Sequence, residues 1–171
     1  MIKKLLLSLL VAVPFFAQAQ TQVKLAVVNS LEILNAMPEK TTAEATLKTF
    51  SDKYEAEFKK LQTEFNQKYA DYQALANDAS TPQTIKERRM QELQENDQKI
   101  QEFQKKANAD IQSQQQSLLA PVKEKLQKAI QTVGEEGGFA MIFDVSTTPV
   151  PYKSAAIEDV TAKVKEKLGI K

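Results

Sequence analysis

The sequence predicts an α+β protein in which one long antiparallel helical hairpin, a tentacle of coiled-coil character, is inserted into a small β body. Three observations lead there. Residues Thr41 to Ala79 contain no glycine or proline and keep a regular apolar beat. A break at "NDASTPQT" is followed by a second, returning polar helix of similar length. Short strand-like runs stand near the two ends of the chain, Val23 to Val28 and Phe139 to Val145, too few to make a stable sheet alone.

The chain opens with Lys3 and Lys4, the apolar run Leu5 to Val13, and the triplet Ala17-Gln18-Ala19. This is a basic region, a short hydrophobic stretch and a small-x-small cleavage site, so residues 1–19 read as a signal peptide cut between Ala19 and Gln20. The apolar run falls well short of the ~20 residues that a membrane-spanning helix needs. Export across the cytoplasmic membrane is the expectation. No cysteine follows the cut, so no lipid anchor is expected. The chain carries 23 basic and 22 acidic residues, and 21 against 22 once Lys3 and Lys4 are removed. Such a neutral chain has no global field to attract nucleic acid or an anionic membrane.

Residues 20–40 supply the first piece of the body. The apolar, β-branched run Val23 to Val28 predicts a buried strand. Asn29, three residues before Glu32, has the form of an N-cap with its capping-box partner. It opens a short helix from Ser30 to Ala36, which Pro38 interrupts.

Residues 41–133 form the arm. Leu47, Phe50 and Tyr54 recur eleven residues later as Phe58, Leu61 and Phe65, and again as Tyr69, Tyr72 and Ala76. An eleven-residue repeat corresponds to about 3.67 residues per turn, so the stripe runs nearly straight with a slight right-handed drift. The tip falls at about residues 77–84, where Asn77, Asp78, Ser80 and Thr81 are turn formers and Pro82 suits the first turn of a helix. Thr84 with Glu87 repeats the capping-box form. The returning helix carries Leu93, Ile100, Phe103, Ala107, Ile111 and Leu118, and glutamine fills much of the rest. Pro121 removes one backbone donor inside the pattern and predicts a kink before the helix resumes from Val122 to Val133. Two such helices reach roughly 55–60 Å. Their apolar stripe is expected to fill the seam of the hairpin, with some aromatic side chains spilling onto a face open to a bound protein.

Residues 134–171 return to the body. Phe139, Met141, Phe143 and Val145 alternate with Ala140, Ile142 and Asp144, a two-faced strand. With Val23, Leu25 and Val27 they are expected to make the body core and its contacts with other chains. "STTP" turns the chain, and Val150 to Lys153 reads as the second strand of a C-terminal β-hairpin, kept at an edge by Pro151. Ile157, Val160, Val164 and Leu168 then give a short amphipathic helix ending at Gly169.

There is no cysteine, histidine or tryptophan. The common zinc, haem and thiol sites are therefore excluded, together with Cys-His and Ser-His catalytic pairs. "GEEGG" lacks the Lys-Ser/Thr of a phosphate loop. Neither an enzyme nor a cofactor is expected. A body of about sixty residues with three short strands is marginal alone, so neighbouring chains should complete it. Their arms would then project together around a space, a surface for holding something without machinery to change it.

The opening "KLAVVNSLEILNAMPE", the long polar hairpin and the closing "GGFAMIFDVSTTPVPY" through Asp159-Val160-Thr161 together resemble the Skp/OmpH family of periplasmic chaperones. The resemblance covers essentially the whole chain after the signal peptide. It implies a homotrimer with a small β-barrel body and three arms around a cavity. It also implies ATP-independent holding of unfolded outer-membrane proteins. The best-known members are strongly basic, whereas this chain is near neutral. Its one basic cluster, Lys86, Arg88 and Arg89 by the tip, is the candidate contact for lipopolysaccharide or a membrane surface and reads better as a solvated helix face. The runner-up reading is a structural coiled-coil spacer of the cell envelope with no client.

Overall fold

The computed structural model describes residues 23–170; the signal peptide, with its cut between Ala19 and Gln20, lies outside the described residues. The chain runs β1 (Leu25–Val28), α1 (Ser30–Ala36), α2 (Pro38–Asn77), α3 (Gln83–Gly137), β2 (Met141–Asp144), β3 (Glu158–Asp159) and α4 (Thr161–Lys167). Pro38 opens α2 instead of merely interrupting α1. Its missing N–H costs nothing in a first turn, and Met37 before it is extended, as a residue preceding proline must be.

Glu39 meets Lys125, Tyr54 meets Phe103 and Asp110, and the Ala76 carbonyl receives Lys86. Residue numbers rise along α2 as they fall along α3, so the two helices lie side by side and point opposite ways. Helix α3 is continuous through Pro121. The proline leaves the Ser117 carbonyl without its donor, but both residues are exposed and water can take the bond. The helix also runs past Gly134 to Gly137. It closes at Gly138, whose φ of 62° lies in the left-handed region. The N–H groups of Gly138 and Phe139 turn back to the carbonyls of Glu135 and Gly134 at 3.2 and 3.0 Å, a Schellman closure.

The three strands form one sheet in the order β2-β1-β3, and both pairings are parallel. This corrects the expected C-terminal β-hairpin. Residues Val150 to Lys153 are exposed and form no strand; the third strand is the two-residue Glu158–Asp159. The ladder explains the difference. Strand β1 has two open edges, β2 takes one, and a hairpin would leave the other bare. Pro151 could offer that edge no donor, whereas Val160 N–H reaches the Val27 carbonyl at 2.9 Å.

One face of the sheet carries the core. Ala26 and Val28, with Ile142 beside them, pack against Ile33 and Met37 of the α1 segment and against Val160 and Val164 at α4. Val122, Leu126, Ala129 and Val133 complete it from α3, at spacings of four, three and four. The root of the arm is therefore one wall of the body. The strand phase divides the residues expected to make the body core and its contacts with other chains. Met141 and Phe143 are 52% and 42% exposed and Val23 is 67% exposed, so they are not core residues within the chain. Ile142, between them, is the residue that points inward, and Phe139 packs at the core margin. Leu25 and Val145 are half-buried and Val27 is buried.

Candidate functional site: the arm seam, its tip and the open sheet face

The repeat places an apolar group on the inner side of α2 at nearly every turn. Leu47, Phe50, Tyr54, Phe58, Leu61, Phe65 and Tyr72 are half-buried, and Tyr69 is 47% exposed. On α3 Leu93 and Ala107 are buried, while Ile100, Phe103, Ile111 and Leu118 are half-buried. Tyr54 is the most connected of them. Its ring meets Phe50 edge-on at 5.2 Å and Phe103 at 5.8 Å, and its hydroxyl donates to Asp110 Oδ2 at 2.7 Å. That bond raises the phenol pKa, with burial and the Asp110 charge adding to it. Farther out, Phe65 and Tyr69 stack with nearly parallel rings. Tyr69, Ile85 and Met90 then leave apolar surface open near the tip.

The tip is a built turn. Asp78 accepts from the Ser80 N–H and hydroxyl and from the Thr81 hydroxyl. These bonds, led by the Ser80 hydroxyl, lower its pKa below the usual value. The basic cluster proves to be divided. Lys86 donates to the carbonyls of Ala76 and Asp78 at 3.1 and 2.9 Å, placing its charge at the negative end of α2. Arg88 and Arg89 both pair with Glu92. The expected Thr84–Glu87 capping box does not form: Pro82 is the cap residue and the Gln83 amide takes Glu87.

In the body, Asn29 does cap α1, its Oδ1 accepting from Glu32 N–H at 3.0 Å. The reciprocal limb is missing, because Glu32 pairs with Lys165 and Asn29 N–H donates to the Thr161 hydroxyl at 2.9 Å. That hydroxyl in turn donates to Asp159 at 2.6 Å. Asp159-Val160-Thr161 thus fastens the start of α4 to the end of β1. A second latch centres on Asp144, which accepts from the N–H and hydroxyl of both Ser30 and Ser146. Burial alone would raise its pKa, but those four donors outweigh it and hold the carboxyl at about 2. No sequence motif marks this latch; an acid inside an apolar strand was its one signal. On the sheet face away from the core, the register aligns Leu25 with Met141 and Val27 with Phe143; Val27 is buried and Leu25 half-buried, while Met141 and Phe143 leave apolar surface open at the outer strand.

Among the described residues no cluster of acids could hold a metal, and no helix is long and apolar enough to cross a membrane. Fold and site together define an arm-bearing protein with apolar surface open on its sheet and near the arm tip. The chain belongs to the family of OmpH-like outer membrane proteins, whose model matches residues 24–168. This is the family its sequence resembles. It shares its fold with the crystal structure of a candidate outer membrane chaperone (OmpH-like) from Caulobacter crescentus CB15, at a TM-score of 0.70 and 19% identity, covering 85% of this chain and 83% of that one. No curated protein matches it in sequence.

Proposed function

We propose that the protein is a periplasmic, ATP-independent holdase that binds unfolded outer-membrane proteins and keeps them from aggregating. It works as a homotrimer whose arms surround the client. The observation that carries this reading is apolar surface left open in two separate places on one chain. The strip of Leu25, Met141 and Phe143 on the sheet suits other copies of the body. Tyr69, Ile85 and Met90 near the arm tip, beside the half-buried seam aromatics, suit a client. Contacts of this kind are weak singly and numerous together. They hold a fluid chain without demanding a sequence, and they release it without a nucleotide.

Diluting an unfolded outer-membrane barrel into buffer tests the proposal by light scattering. The mature protein should suppress the aggregation seen without it, and its mass in solution should be three times that of one chain. Equal aggregation with and without the protein would leave the envelope spacer as the better reading.

A further inference from the structure

The seam of the arm is tied unevenly along its length. At the root Glu39 pairs with Lys125, and farther out Tyr54 donates to Asp110 while leaning on Phe103. At the tip Lys86 holds the end of α2. Between Tyr54 and Ala76 on α2, and between Lys86 and Phe103 on α3, no hydrogen bond or ion pair crosses from helix to helix among the described residues. This stretch is roughly 30 Å long.

Inside it lies Asn96, three residues after the buried Leu93 and four before Ile100. Its Nδ2 is buried and has no hydrogen-bond partner. An orphaned donor penalises only the closed seam, because water satisfies it as soon as the helices part. Helix stability in proteins comes mostly from packing of the apolar face, so segments released from the seam lose their main support and their backbone opens more readily. Cross-helix ties on either side confine the opening to the middle.

We propose that the middle of the arm, about residues 58–75 of α2 with 87–102 of α3, is a seam that parts locally, with Asn96 setting how readily it does so. Parting offers Phe58, Leu61, Phe65, Leu93 and Ile100 to an apolar segment of a client. The opening stands on the seam alone; its use by a client rests on the holdase reading.

Hydrogen exchange on the full mature protein, free of client, tests the opening. Amides of residues 58–75 and 87–102 should exchange faster than those around Tyr54 and Asp110. Asn96→Leu, and separately Asn96→Met, should slow them by roughly tenfold or more while leaving the body unchanged. Uniform exchange along the wild-type arm, or no slowing in either variant, overturns the seam. In the aggregation assay Asn96→Leu should hold an unfolded barrel less well than wild type. Equal holding by a variant whose exchange has slowed overturns the client step. Failure of the wild type to hold any client would sink the holdase reading and leave the exchange result to decide the seam.

Discussion

Body and arm are built on different principles although α3 runs through both. The body is specified in three dimensions. Ile33, Ala26, Val160 and Val164 are fully buried, and two hydroxyl–carboxylate latches fix where α1 and α4 sit. The arm is specified in one dimension by a repeat, and Ala43, Leu93 and Ala107 are its only buried residues short of the core wall on α3. A structure of the first kind tolerates few substitutions at any position. One of the second kind spreads its stability thinly, and so can change length or part locally without loss of the fold.

The sharpest test of that contrast is a pair of truncations. Ile33→Ala empties a fully buried site and should cost about 2–5 kcal/mol. Leu61→Ala removes a half-buried seam residue and should cost roughly 1 kcal/mol. Denaturant unfolding of both variants gives the comparison directly, and equal losses would mean the arm is as tightly specified as the body.

Acid should act next, and on the body. Asp144 has a folded pKa of about 2 against an ordinary 3.8. Because the folded value is the lower one, its contribution is complete above about pH 4 and is lost as pH falls toward 2. Allowing for solvent screening, that is on the order of 1–2 kcal/mol. Thermal melts across this window should show the loss, and Asp144→Asn should flatten this part of the profile while lowering stability at neutral pH.

The smallest effect on stability should come from the largest excision. Removing one eleven-residue repeat from the distal half of each helix keeps the stripe in phase and shortens the arm by roughly 16 Å. The melting temperature of the body should stay within a degree or two, while small-angle scattering records the shorter molecule. Collapse of the assembly would show that distal arm contacts hold the body together.

The same contrast explains what could be read from the residues alone. The arm was legible because a repeat and a proline-marked tip are local signals: the helices and the turn at Asp78 to Pro82 fall where the pattern puts them. Its ends were less so. Gly134 looked like a stop, yet it stays helical beside Ile142, where a Cβ would stand 3.3 Å from the isoleucine methyl. The strand at Met141–Asp144 is legible, but the more apolar of its two faces, Met141 with Phe143, is the one turned away from the core, so alternation points the wrong way. Strand β3 was invisible, since Glu158–Asp159 has no hydrophobic signature and exists only because β1 has an edge to fill. Val150 to Lys153 carries the β-like composition, but Pro151 gives a ladder no donor and the segment stays exposed beside an unpaired β2 edge. The divided basic cluster was equally hidden, because which carbonyl a lysine reaches is decided by how two helices meet.

The central place of β1 has a consequence for the order in which the molecule can form. Its neighbours lie far down the chain; Ser30, two residues beyond it, meets Asp144 across 114 positions. A chain emerging from its N-terminus therefore carries an apolar strand with no partner until nearly all of the protein has followed. Closing so long a loop at random is entropically unfavourable. The helical hairpin shortens the search by folding on itself and bringing Pro38 and Pro121 to opposite walls of one groove, so that the two ends of the sheet arrive together. A chain stopped before Met141 would keep its arm pattern and lack any sheet, with Val27 and Val28 exposed and itself in need of shelter.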